Sequence, residues 1–201
     1  SKIGYTQAER DRNIQNLIKV NPLMILNGDI PIYLEHRVSE RFSIEAGIGL
    51  TQLDYIYYGF IFDENLDNVE TAERSAGIGF SFRASARYYP SNYTKALDEF
   101  YIGPEIRFRQ YNTEVTCEPS LISIPESRTQ IDFKISGGYI FYLADRVIID
   151  TYGGIGLRSI NIDRTECTDE NGNVVPGGTK YLSRKGILPV IALGVKIGFG
   201  F

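Results

Sequence analysis

A chain of 201 residues, 43% hydrophobic and 23% charged, is long enough for one domain or two small ones and too apolar to be disordered. Its net charge of −4 leaves no basic excess to meet a nucleic acid, and no apolar run approaches the roughly 18–20 residues that a spanning helix needs. With Gly at 20, Tyr at 14, Phe at 11 and no Trp, the composition points to strands joined by tight turns.

Residues 1–14 form a short polar leader, and a start at Ser1 with neither initiator Met nor signal sequence reads as a trimmed, mature chain. From there apolar and polar residues alternate with period two, as half-buried strands do. Eight strands are expected, at 15–26, 29–38, 42–60, 74–90, 99–115, 128–142, 146–161 and 184–201. The breakers between them are Asn27-Gly28, Ser39-Glu40-Arg41, an acidic 61–73, Pro90-Ser91-Asn92, a Pro-containing 117–127, Ala144-Asp145 and a Gly-rich 163–183. Each strand has one apolar face and one that mixes charge with glycine. On the last strand Ile187, Ile191, Leu193, Ile197 and Phe199 stand against Gly194, Lys196 and Gly198. Ala-Gly-Ile-Gly-Leu at 46–50 is echoed at 76–80 and at 153–157.

Parity does not say which face points inward. A lipocalin-like barrel hides its apolar face around a ligand, whereas a membrane barrel turns it to lipid. Short connections follow strands two, four and six, and long ones follow three, five and seven, the pattern of short periplasmic turns and long extracellular loops. Aromatic residues gather near the short turns (Phe42, Tyr88, Phe100, Tyr139, Phe141, Phe199, Phe201) and again at Tyr55, Tyr57, Tyr58, Phe60 and Phe62, as two interfacial girdles would. The glycines fall on the charged face, where a narrow interior is crowded. These features favour an all-β fold, an eight-stranded antiparallel up-and-down transmembrane β-barrel over 15–201. Its N- and C-termini would be periplasmic, as would the leader, and its long loops extracellular. Eight strands of about ten membrane residues use about 80 positions and leave room for loops.

The ending, in which Val195, Ile197, Phe199 and Phe201 share a face, resembles the C-terminal signal read by the outer-membrane insertion machinery. The run GDIPIYLEHRVSERFSIEAGIGL at 28–50 resembles the opening hairpins of small Bacteroidota-type barrels of the OmpA/OmpX/OmpW-like superfamily. The resemblance covers about residues 15–201. It implies residence in the cell outer membrane, contact with its lipid and lipopolysaccharide, and handling by the insertion machinery. It implies no particular activity.

The inward face on this topology carries Lys19, Glu35, Arg37, Glu45, Arg83, Arg87, Glu105, Arg107, Arg109, Asp132, Lys134, Asp150, Arg158 and Lys196. A packed interior of ion pairs is expected, with a narrow, anion-preferring pore as the alternative, because bases outnumber acids nine to five. Cys117 and Cys167 fall in loops on one side, where an oxidising envelope favours a disulfide over two free thiols. With only one His and two Cys a metal site is not expected, and no cofactor is. His36 shares its parity with Ile32 and Leu34 and has no Ser and acid arranged around it, so it reads as a girdle residue rather than a catalytic base. The acidic stretches 61–73 and 163–180 read as solvated loops, with divalent-cation bridging to lipopolysaccharide or docking of a partner as the alternatives. The functional expectation is a non-enzymatic structural or interaction protein, an accessory subunit of a larger assembly with other envelope proteins as partners. A stand-alone narrow channel for small solutes is the second reading, and a lipid-modifying enzyme the third.

Overall fold

The computed structural model describes residues 14–52, 72–91, 95–117, 122–166 and 180–201. The alternation becomes nine strands: β1 (Asn16–Val20), β2 (Asp29–Arg37), β3 (Phe42–Thr51), β4 (Ala72–Ala76), β5 (Gly79–Tyr88), β6 (Glu99–Cys117), β7 (Ile122–Tyr142), β8 (Val147–Glu166) and β9 (Lys180–Gly200). They form a single sheet with antiparallel ladders, and the β6–β7 pairing closes it into a ring. The ring runs β6-β5-β3-β2-β1-β9-β8-β7 and back to β6, with β4 paired to the far end of β6. No helix among the described residues is long and apolar enough to cross a membrane.

β4 and β5 continue one line and are separated by a bulge. Ala76 faces Thr113 and Phe80 faces Gln110, so β6 supplies one residue fewer than its neighbour between those pairs. The bulge is held from both sides. Gly77 donates its N–H to the Asn112 carbonyl at 2.9 Å, and the Asn112 side-chain amide donates to the Ile78 carbonyl at 2.7 Å.

The first strand is much shorter than the expected 15–26. It stops at Val20, and Pro22–Asn27 forms a 3-10 helix. Pro22 brings no N–H to a ladder, while the Asn21 side chain accepts from the Leu23 N–H at 3.1 Å and caps the helix. Gly28, at φ 64°, takes the left-handed conformation that ends it. The later strands are longer than expected. β6 and β7 run on to Cys117 and from Ile122, so the expected long connection 117–127 shrinks to four residues. Pro125 lies within β7, opposite Glu114. β8 and β9 likewise extend into the Gly-rich 163–183. Most of the leader, the continuation of the third strand to 60, the Tyr55–Phe62 cluster and most of the acidic 61–73 lie outside the described residues. So does Cys167, and only the backbone of Cys117 is described.

The other end of the ring carries tight connections at 38–41 and 143–146, each closed by backbone bonds such as Val38 N–H to Phe42 and Leu143 N–H to Val147, both at 2.9 Å. Here the residues just before β6 turn inward. Ala96 and Leu97 are buried against Leu17, Tyr89, Ile140 and Ile148. Leu97 holds φ at 78° to do so, a conformation costly for a branched side chain. This apolar cluster stoppers the ring at its turn end.

The distribution of side chains is inverted relative to a protein in water. Ile32, Leu34, Ile44, Ile48, Phe82, Ile135, Ile155, Ile191 and Leu193 are all exposed on the outer wall, Ile191 at 77%. Charged residues are buried within. Soluble monomers rarely expose continuous apolar patches of more than a few hundred Å². The apolar wall is bounded by charge, with exposed Glu40, Arg41, Asp145 and Arg146 at the turn end and Glu114, Asp163, Arg184 and Lys185 at the other.

Candidate functional site

Period-two alternation sends every second side chain of the ring inward, and charged groups converge in the ring's interior. Of the fourteen residues singled out from sequence, Lys19, Glu35, Glu45, Arg83, Arg87, Glu105, Arg107, Arg109, Asp132, Lys134, Asp150 and Lys196 are buried. Arg37 and Arg158 are half-buried. His36 lies on the outer wall with its Nδ1 2.8 Å from Asn16 Oδ1.

Nearest the apolar stopper, three acids meet three bases. Glu35, Glu45 and Asp150 bring carboxylate oxygens within 4.8 Å of one another, a grouping that would suit a metal ion. Lys19 occupies that role instead. Its ammonium pairs with Glu35, with Glu45 at 2.6 Å and with Asp150 at 2.9 Å. Arg87 caps the same trio, reaching Glu35 at 2.9 Å, Glu45 at 2.7 Å and Asp150 at 3.0 Å, and Lys196 pairs with Glu45. Phenols complete the shell. Tyr89 donates to Glu35 and Tyr101 to Asp150, each at 2.7 Å, and Ser43 donates to Glu35. The Arg87 guanidinium also lies 4.0 Å from the Tyr101 ring centre. Charges removed this far from water are tolerated only when fully paired, and these are.

Farther from the stopper Glu105 gathers Arg83, Lys134 at 2.7 Å and the Ser136 hydroxyl at 3.0 Å. Arg83 is sandwiched between Tyr33 and Tyr152, 5.3 and 4.8 Å from their ring centres. Beyond that Asp132 takes both bonds of an Arg158 fork, at 2.7 and 2.9 Å, and a longer one from Arg109 at 3.4 Å. Arg107 has a different surrounding. Among the described residues its one hydrogen bond is to the Met24 sulfur at 3.5 Å, which the 3-10 helix between β1 and β2 lowers into the ring.

Sequence reasoning left out the interior tyrosines. Tyr33, Tyr101 and Tyr152 each face a glycine across their ladder, in the pairs Tyr33 with Gly47, Tyr101 with Gly138 and Tyr152 with Gly194. In all three a Cβ on the glycine would collide with the ring, so the missing side chain is the seat in which the phenol lies. The signal was partly available, since Tyr33 has the parity of Glu35, but its glycine partner is fixed only by long-range register.

Compared with known proteins, the chain matches no family model, no curated protein and no solved structure.

Proposed function

We propose that the chain is an integral outer-membrane protein whose ring is an eight-stranded, up-and-down transmembrane β-barrel, β4 and β5 being one bulged strand. It would act as a structural or interaction subunit of an envelope assembly. The observation that carries this reading is the inversion of polarity, with large aliphatic and aromatic side chains outside and ion pairs within. Such a wall lowers its free energy in hydrocarbon, and a closed antiparallel ring leaves its paired strands without a free edge in lipid. Charged residues border the wall at both ends, as water-facing rims would.

A closed interior is supported by the turn end, where Leu97 and the Lys19–Glu35–Asp150 cluster leave side chains with almost no surface that water can reach. This favours contact through the outer wall and the projecting ends of β6–β9 over conduction. Catalysis and a disulfide between Cys117 and Cys167 form no part of the proposal.

The test is extraction of tagged protein from its own membrane in mild detergent, followed by native-mass analysis. Release only with detergent, together with specific large partners, is the expected result. Migration as a lone chain near 22.7 kDa plus detergent would remove the assembly reading, and release by salt alone would remove the membrane reading.

A further inference from the structure

The charges of the interior balance near the stopper and fail to balance away from it. Lys19, Arg87 and Lys196 are matched by Glu35, Glu45 and Asp150. Around Arg107 they are not matched. Its register neighbours are Arg83 on β5 and Asp132 on β7. Arg83 is of like charge and already holds Glu105. Asp132 is engaged on both oxygens by Arg158. Arg107 is 4% exposed, lies within ion-pairing distance of no described carboxylate, and leaves Nη2 without a partner. Two residues along the same face of β6, Arg109 is equally buried and leaves Nε unpartnered.

A guanidinium without an ion-pair partner is a poor occupant of a dry interior, and Arg107 is one. Arg109, about 7 Å along the same face, has as its ion pair only the 3.4 Å contact to an Asp132 that Arg158 already holds, so the two make a site with room for an added anion's charge. The planar fork of arginine suits the paired oxygens of phosphate. We propose that Arg107 and Arg109 bind a small oxyanion of the phosphate class inside the ring, beneath Met24. The group would be inorganic phosphate or the phosphate of a lipid headgroup. The inference stands on the interior alone and not on the partner proposed above.

The experiment is titration of the refolded protein in zwitterionic detergent and chloride-free buffer, first with inorganic phosphate and separately with micellar phosphatidic acid. Binding is read by calorimetry and by the phosphorus resonance. Saturable binding of inorganic phosphate, weakened at least tenfold by Arg107→Gln and unchanged by Arg146→Gln on the exposed turn, is the expected result. Binding of phosphatidic acid alone, with the same dependence on Arg107, would identify a lipid headgroup as the source. If Arg107→Gln does not assemble, Arg107→Lys keeps the charge without the fork and is expected to weaken binding at least threefold. No saturable binding of either probe, or equal binding by the assembled Arg107 variant, would overturn the site.

Discussion

Tyr152 lies across Gly194, its partner on the neighbouring strand, so closely that a Cβ on Gly194 would stand 2.5 Å from the phenol's Cζ and Oη. The ring held there is in use on every side. Its hydroxyl accepts from the Asn21 amide at 2.9 Å, and its face lies 4.8 Å from the Arg83 guanidinium carbon and 4.9 Å from the Lys196 ammonium. Displacing the phenol therefore disturbs the cap of the 3-10 helix and two of the buried cations together.

Gly194→Ala is accordingly expected to destabilise by about 1–3 kcal/mol, the usual cost of overpacking a filled interior. The urea midpoint of refolding into lipid vesicles measures it. A midpoint equal to that of the parent would show that the phenol has somewhere else to go.

Lys19→Met should be costlier, at about 3–5 kcal/mol, because it removes one member of a buried, fully paired charge cluster. Three carboxylates then face one another with two cations instead of three. The same equilibrium unfolding experiment reads the loss. Because buried pairs are poorly screened, the parent's stability should change little between 0.1 and 1 M salt, and a steep fall with salt would contradict the burial of this cluster.

On the outer wall, Ile191→Arg is expected to cost about 2–4 kcal/mol in a bilayer if Ile191 lies near mid-depth. Lys185→Ala, beyond the apolar band, should be close to neutral. Comparable effects at the two positions would remove the membrane reading. So would a parent protein that stays dispersed and folded without detergent.

Planar-bilayer recordings of the parent should be silent. Discrete openings whose anion preference shifts in Arg109→Ala would replace the closed-interior reading with the narrow channel.

Much of the interior was legible in the sequence because period two is unforgiving. Once Ile191, Leu193 and Ile197 share one face, Lys196 must lie on the other, and the same logic placed Glu35, Arg83 and Asp132. What alternation cannot convey is where pairing stops. β1 ends early because Asn21 and Pro22 form a cap that competes with the ladder. β7 runs through Pro125, although a proline in that position reads locally as a breaker. The difference between Arg87, matched three ways, and Arg107, matched by no described carboxylate, was equally hidden. It depends on which acids the neighbouring strands have already committed.

The seam between β1 and β9 is the shortest in the ring. β1 and β9 pair only from Leu17 to Val20, whereas β8 and β9 pair from Val147 to Glu166. The Phe201 carbonyl adds a clasp, accepting the N–H groups of Gln15 and Asn16 at 3.1 and 2.9 Å. Under mechanical load or on heating, the cylinder should therefore unzip along this line first. It also joins the first strand of the ring to the last, so it can close only after both β1 and β9 are in place.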